Sequence, residues 1–133
     1  MTDSSDTPYR SPIADEFGAE YLERSEGRCV IRFPVLDKYK IPSGVLQGGM
    51  YAAFMDMAMA SAVEGGVSTA TLQINLMRPA TEGYVIVTGE VVRRGRSVMY
   101  LEAEVRTEDG KLLARGNQTG MVVQPFRPAA DPE

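Results

Sequence analysis

Residues 48–63, "GGMYAAFMDMAMASAV", form a long apolar segment that contains one charged side chain, Asp56. The segment spans about four helical turns without proline, and its alanines and methionines favour helix. Because apolar residues fall on nearly all sides of this helix, we expect the rest of the fold to enclose it. The sequence "EGG" at 64–66 is predicted to end the helix, since glycine is a common C-terminal cap. An ionised carboxylate in such surroundings needs a hydrogen-bond partner or a wet opening.

Alternating apolar and polar residues on both sides of the helix predict β-strands. In "LEAEVR", for example, Leu101, Ala103 and Val105 alternate with charged residues. Two strands are predicted before the helix, after a short helical turn near 12–17, and four strands after it, with hairpin turns at "RRGRS" and "EDGK". The predicted strands are 19–24, 28–34, 69–77, 84–94, 98–107 and 112–123.

This order of elements predicts an α+β fold in which one antiparallel sheet wraps around one long central helix, because that arrangement buries both partners. We expect the last four strands to form a meander of consecutive neighbours. A length of 133 residues is typical of one domain. We place this domain at 12–124, between flexible tails at 1–11 and 125–133.

The composition excludes several kinds of site. The chain has no histidine, which rules out Ser-His-Asp triads and histidine metal sites, and we expect neither a metal nor another cofactor. A net charge of −4 disfavours nucleic-acid binding, and no apolar run is long enough to span a membrane. With one cysteine and no apolar leader, the chain is expected to be cytoplasmic. Catalysis would then use carboxylates, amides, hydroxyls, backbone dipoles or the thiol of Cys29.

Several stretches together carry a resemblance to a known family: "GVLQGGMYAAFMDMAMASA", "INLMRPATEG" and the two hairpins that follow. Over residues 44–123 the chain resembles the hotdog-fold thioesterases of the phenylacetic-acid-degradation type, which hydrolyse acyl- and aryl-CoA thioesters. The resemblance implies the hotdog fold and an acyl-CoA substrate. It also implies assembly as a homodimer, or as a homotetramer built from two dimers.

In this family an acidic residue on the helix is the nucleophile or general base, and its position matches Asp56. The glycine that opens the helix matches Gly48, which implies that its backbone N–H binds the thioester carbonyl. The positive end of a helix suits this role. Eight residues of helix separate the two by about 12 Å, too far for both to contact one thioester. The resemblance therefore implies that Gly48 of one subunit faces Asp56 of its partner.

Two positions depart from the family pattern. Gln47 replaces the usual histidine and could keep a donor role through its amide. Ile41 replaces an asparagine or glutamine and cannot donate. Since one missing oxyanion donor costs about 10²–10³ in rate, low activity is an expected consequence. Thr69 matches a serine or threonine that holds the attacking water, although threonine at a strand start also suits β structure alone.

The "RRGRS" hairpin matches a region that approaches the CoA phosphates in similar proteins, which implies substrate contacts for Arg94, Gly95, Arg96 and Ser97. Arginine suits bidentate phosphate contacts, but the same residues also suit a solvated turn. Gly49, like Gly48, lacks a Cβ atom and would let the substrate approach the start of the helix closely.

Other functions stay open at this point. A noncatalytic acyl-CoA-binding or regulatory hotdog protein fits the replaced histidine and Ile41, and a purely structural dimer fits the apolar helix. A hotdog hydratase normally needs a catalytic histidine, and the chain has none. Thioester hydrolysis is the function that the sequence favours.

Overall fold

The helices and strands follow one another in the predicted order in a computed structural model, which describes residues 11–123. The tails expected at 1–11 and 125–133 lie outside these residues, except for Ser11, whose hydroxyl accepts a hydrogen bond at the start of the first helix. The elements are α1 (Pro12–Glu16), β1 (Glu20–Ser25), β2 (Arg28–Pro34), a 3₁₀ turn (Asp37–Tyr39), α2 (Gly48–Ser61), β3 (Val67–Leu76), β4 (Tyr84–Arg94), β5 (Val98–Thr107) and β6 (Leu112–Val122).

The strands lie where the alternating pattern predicts them, with ends that agree to within two residues. On β5, Leu101, Ala103 and Val105 are buried against the helix, whereas Glu102 on the other face of the strand is exposed. This alternation gives the sheet an apolar inner face and a polar outer face. The predicted fold, an antiparallel sheet wrapped around one long helix, is confirmed.

The order of strands within the sheet differs from the expected meander. The six strands lie in the order β1-β2-β4-β5-β6-β3, and each neighbouring pair is antiparallel. The expectation that β3 is the neighbour of β4 was wrong, because β3 pairs with β6 and β4 pairs with β2. The connection 77–83 is too long for a tight hairpin, so it allows β4 to leave β3. β3 therefore forms one edge of the sheet.

Helix α2 ends earlier than the glycines predict. Its last helical residue is Ser61, and Gly65 and Gly66 lie in the turn that follows, with φ of +89° and +81°. The backbone N–H of Gly27, in the turn between β1 and β2, donates to the carbonyl of Ala62 at 2.7 Å. This contact satisfies a carbonyl at the end of the helix from outside, so a glycine cap is not needed there.

The two faces of α2 differ in burial. The inner face is wholly buried, and on it the ring of Phe54 stacks on Phe33 at 4.1 Å between centroids. The face that carries Asp56 is only half-buried in the single chain, as are its neighbours Met50 and Met57. The expected enclosure therefore holds for one face of the helix, and Asp56 lies on the more open one. The buried helix residues are Tyr51, Phe54, Met55, Ala58 and Met59.

Gly89 allows β4 to lie directly against α2. A Cβ atom at this position would lie 2.5 Å from the backbone carbonyl carbon of Ala58 and 2.7 Å from the backbone nitrogen of Met59. Because these are backbone atoms, a side chain could be accommodated only by moving the helix away from the sheet. The distance between α2 and the sheet, and with it the position of Asp56, depends on this glycine.

The variant Gly89→Ala is expected to lower the free energy of unfolding by about 2–3 kcal/mol, since overpacking against backbone is not relieved by side-chain rotation. Urea denaturation measures this change. Thr88→Ala, on the outer face of the same strand, is the control and should cost no more than about 1 kcal/mol. Equal losses in the two variants would show that β4 does not press on the helix.

Candidate active site

The carboxylate of Asp56 is held by two side chains from the sheet. Its Oδ1 accepts hydrogen bonds from the Thr69 hydroxyl and from Nε2 of Gln118, each at 2.8 Å. Its Oδ2 has no hydrogen-bond partner among residues 11–123. Two donors on one oxygen compensate the charge in this half-buried position. They also leave the second oxygen available for chemistry.

Thr69 reaches Asp56 because of a β-bulge. From residue 71 onward, odd-numbered residues of β3, such as Gln73, lie opposite outward-facing residues of β6, such as Asn117. The pairing shifts between Thr69 and Thr71, so that Thr69 lies opposite the inward-facing Gly120. Bulges of this kind redirect side chains next to functional sites. Here the bulge turns the Thr69 hydroxyl towards the helix.

Gln118 is the residue of this cluster that the sequence did not indicate. It lies on β6 in a row of inward-facing residues with Ala114, Gly116 and Gly120, and it is 0% exposed. An amide among small residues on the inner face of a strand is unusual, because buried amides need partners. That irregularity in the period-2 pattern is the signal by which Gln118 could have been found.

The start of α2 has a free backbone donor at Gly48. Gln47 is the N-cap residue, and its side-chain Oε1 accepts from the Gly49 N–H at 2.7 Å, while its carbonyl accepts from the Met50 N–H. Within residues 11–123, the N–H of Gly48 and Nε2 of Gln47 have no acceptor. The Gly49 amide, in contrast, is already occupied. An oxyanion at this helix start would therefore meet Gly48 and the Gln47 amide.

An apolar cavity of about 310 Å³ opens beside Gly48. The Tyr51 hydroxyl shapes one wall, because it accepts from the Ala80 N–H at 2.9 Å and donates to the Arg78 carbonyl at 3.4 Å. Ile41, where similar enzymes carry an amide, forms part of another wall. The lining residues are Ile41, Val45, Leu46, Gly48, Tyr51, Leu76, Met77, Arg78 and Pro79.

The predicted catalytic residues form two groups within one chain. Asp56 and Thr69 lie together near the start of β3. Gln47 and Gly48 lie near its end, where a Cβ atom on Gly48 would come within 3.1 Å of the Leu76 side chain. About 12 Å of helix separates the two groups. One chain therefore holds both halves of the expected site but does not join them.

The "RRGRS" hairpin lies at the Asp56 end of β3. The Ser97 carbonyl accepts from the N–H of Val122, which pairs with Val67 at the start of β3. Arg94 is exposed and forms an ion pair with Glu26 at 2.7 Å, whereas Arg96 has no acidic partner among the described residues. Exposed ion pairs are weak, so the Arg94 guanidinium can exchange Glu26 for another partner at little cost.

Three further features of the described part of the chain concern metal ligands, membrane spans and the thiol. No three histidine, cysteine or acidic side chains in residues 11–123 come together as a metal site requires. No helix in this range is long and apolar enough to cross a membrane. The Cys29 thiol is 0% exposed, and burial raises its pKa to about 11. A protonated thiol inside the core is not a nucleophile, so Cys29 is not a candidate catalytic residue.

The family follows from comparison with known proteins. Residues 43–114, more than half of the 133, match the thioesterase superfamily. The chain belongs to this superfamily. It is 32% identical over 99 residues to a Saccharolobus solfataricus protein named as a candidate esterase, and the alignment covers 71% of each chain. It is also 32% identical over 115 residues to the acyl-coenzyme A thioesterase THEM4 of Bos taurus, covering 83% of this chain and 48% of that one.

A solved structure is also similar to this chain, and its name refers to phenylacetic acid degradation. A Ralstonia eutropha protein named as a candidate thioesterase related to phenylacetic acid degradation is 29% identical, with a TM-score of 0.78. The superposition covers 86% of this chain and 92% of the other. These comparisons confirm the hotdog fold and the resemblance to the phenylacetic-acid-degradation type. The protein is a thioester hydrolase.

Cys29 gives a test of the core that is independent of activity. Native protein is expected to resist alkylation by iodoacetamide at about pH 8, whereas urea-unfolded protein, with a thiol pKa near its ordinary 9.0, should react. Because the folded pKa lies above the unfolded one, the thiol stabilises the fold fully below pH 9 and loses this contribution as the pH rises towards 11. Rapid labelling of the native state would contradict this account.

Proposed function

We propose that the protein hydrolyses acyl-CoA thioesters, aryl-CoA thioesters among them, at sites shared by two subunits. One subunit supplies Asp56, and its partner supplies the backbone N–H of Gly48. The observation that carries the proposal is that these two groups lie beside opposite ends of the same edge strand, β3.

Symmetric pairing of β3 with a second copy would join the two halves. Antiparallel pairing about a two-fold axis brings the start of each strand next to the end of the other. Asp56, held at the start by Thr69, then lies beside Gly48 of the partner subunit. The edge strand supports this assembly, because Leu72 and Leu76 on β3 and the adjacent Met77 are 37%, 47% and 50% exposed. An uncovered apolar edge strand invites pairing.

The chemistry has two routes, both through the free Oδ2 of Asp56. As a general base, Oδ2 takes a proton from water while the water oxygen attacks the thioester carbon. As a nucleophile, Oδ2 attacks the carbon itself, and water later cleaves the mixed anhydride. In each route the carbonyl oxygen becomes an oxyanion at the Gly48 N–H, and the C–S bond then breaks. In the general-base route the proton held on Oδ2 passes to the leaving CoA thiolate, whereas in the nucleophilic route CoA leaves as the thiolate and takes its proton from solvent.

The surrounding groups fit parts of an acyl-CoA. The apolar cavity beside Gly48 suits the acyl group. The Arg94 and Arg96 side chains suit the CoA phosphates, and Gly95 and Ser97 lie in the same turn. The Thr69 hydroxyl gives its proton to Asp56, so its lone pairs can accept from the attacking water.

Turnover is expected to be slower than in relatives with a histidine and an amide at the oxyanion. The Gln47 amide is free to donate, but it cannot exchange protons. Ile41 offers an apolar side chain to the cavity where an amide would donate. The catalytic contribution therefore falls on the Gly48 N–H and on Asp56.

The variant Asp56→Asn is expected to lower kcat at least about 100-fold, since a neutral amide neither accepts the proton nor attacks the carbonyl. Steady-state release of free CoA from a panel of acyl- and aryl-CoAs measures the change. Glu64→Gln makes the same chemical change at an exposed position just beyond α2 and should leave kcat unchanged. A loss of less than about tenfold for Asp56→Asn would remove this residue from the chemistry.

A further inference from the structure

We propose that Gln118 is a positioning residue for the reaction, whose buried amide fixes the Asp56 carboxylate so that only Oδ2 faces the substrate. The proposal rests on the function proposed for Asp56 and adds a residue on a different strand. The contact that carries it is the hydrogen bond of 2.8 Å from Gln118 Nε2 to Asp56 Oδ1.

Within the described chain, the contacts with Asp56 and Thr69 are the only polar contacts that compensate the burial of the Gln118 amide. Among residues 11–123 it is the only asparagine, glutamine, serine, threonine or charged residue that is buried. Burial of an amide is unfavourable unless the amide is hydrogen-bonded. Its side chain contacts the polar groups of Asp56 and Thr69 and no others in this range. The amide is therefore compensated at the candidate active site alone.

The amide has one favourable orientation. An ionised carboxylate only accepts hydrogen bonds, so the NH₂ group must face Asp56. The Gln118 Oε1 then lies 3.3 Å from the Thr69 hydroxyl. That hydroxyl has one proton, and its nearer acceptor is Asp56 Oδ1 at 2.8 Å. Turning the amide over would place its oxygen against the carboxylate oxygen.

Two donors on Oδ1 resist rotation of the carboxylate, because rotation would break both hydrogen bonds. Thr69 donates from a residue that is exposed in the single chain, whereas Gln118 donates from a side chain that is 0% exposed on the inner face of β6. The more rigid of the two donors is therefore Gln118. Misplacement of a reacting group by about 1 Å can cost about 100-fold in rate. A fixed Oδ2 serves both the general-base and the nucleophilic route.

The variant Gln118→Met tests this role, because methionine has a similar length and lacks the donor. With an acyl-CoA that the wild-type enzyme hydrolyses, kcat is expected to fall about 10- to 100-fold. KM should change by less than about twofold, because Gln118 lies behind Asp56 and does not contact the substrate.

The variant Gln118→Glu adds a pH readout that a merely structural role would not move. When protonated, the introduced carboxyl donates to Asp56 Oδ1 as the amide does. When ionised, it repels the Asp56 carboxylate, since two like charges at hydrogen-bond distance are unfavourable. The kcat of Gln118→Glu, relative to wild type at each pH, is expected to be highest at acidic pH and to fall as the pH rises. That of Gln118→Met should stay low throughout.

Asn117→Leu is the matched control. It removes the neighbouring amide of β6, which faces the outer side of the sheet, and it should keep wild-type kcat. Thermal unfolding of each variant sets the temperature below which kcat is compared. Should Gln118→Met not fold, the pH dependence of Gln118→Glu decides the proposal by itself.

Two results would overturn the proposal: a Gln118→Met variant with kcat within about twofold of wild type, or a Gln118→Glu variant with the same relative kcat at every pH. Failure of the proposed function gives a different result, in which Asp56→Asn keeps full activity. The role of Gln118 would then fall with that of Asp56.

Discussion

The hydrogen bonds to Asp56 Oδ1 join the three elements on which the site depends. Asp56 comes from the central helix, Thr69 from the edge strand and Gln118 from the strand beside it. Without these donors, a carboxylate on a half-buried helix face would be costly. With them, one oxygen is held and the other is free. The lone charge in an otherwise apolar segment is therefore explained by two donors that approach from the sheet.

The same geometry divides the site between the two ends of β3. Gly89 lets β4 approach the helix closely, and the two ends of α2 lie near the edge strand β3. Asp56 lies by the start of that strand, and the free N–H of Gly48 lies by its end. A single chain thus carries both halves of the candidate site at separate places. Its exposed edge strand, β3, offers a physical means of joining them to the halves of a second chain.

The sequence predicted what depends on local pattern. The helix start at Gly48 and the strands follow from periodicity and turn residues, which act over a few positions. The place of β3 beside β6 was missed, because strand order depends on contacts between distant segments. Gln118 was missed for the same reason, since it lies 62 residues from Asp56. The inward turn of Thr69 depends on a bulge that the alternation of β3 does not show.

The most direct measurement of the shared site uses a heterodimer, purified with two tags, of Asp56→Asn and Gly48→Pro subunits. Proline lacks the N–H yet suits the first helical position, and the extended Gln47, with φ −65° and ψ 137°, suits a residue before proline. Gly48→Ala, which keeps the N–H but adds a Cβ atom, separates the loss of the donor from steric crowding. The account predicts two nearly inactive parents and a heterodimer with about half of wild-type kcat, from one intact site of two. A heterodimer as inactive as its parents would contradict it.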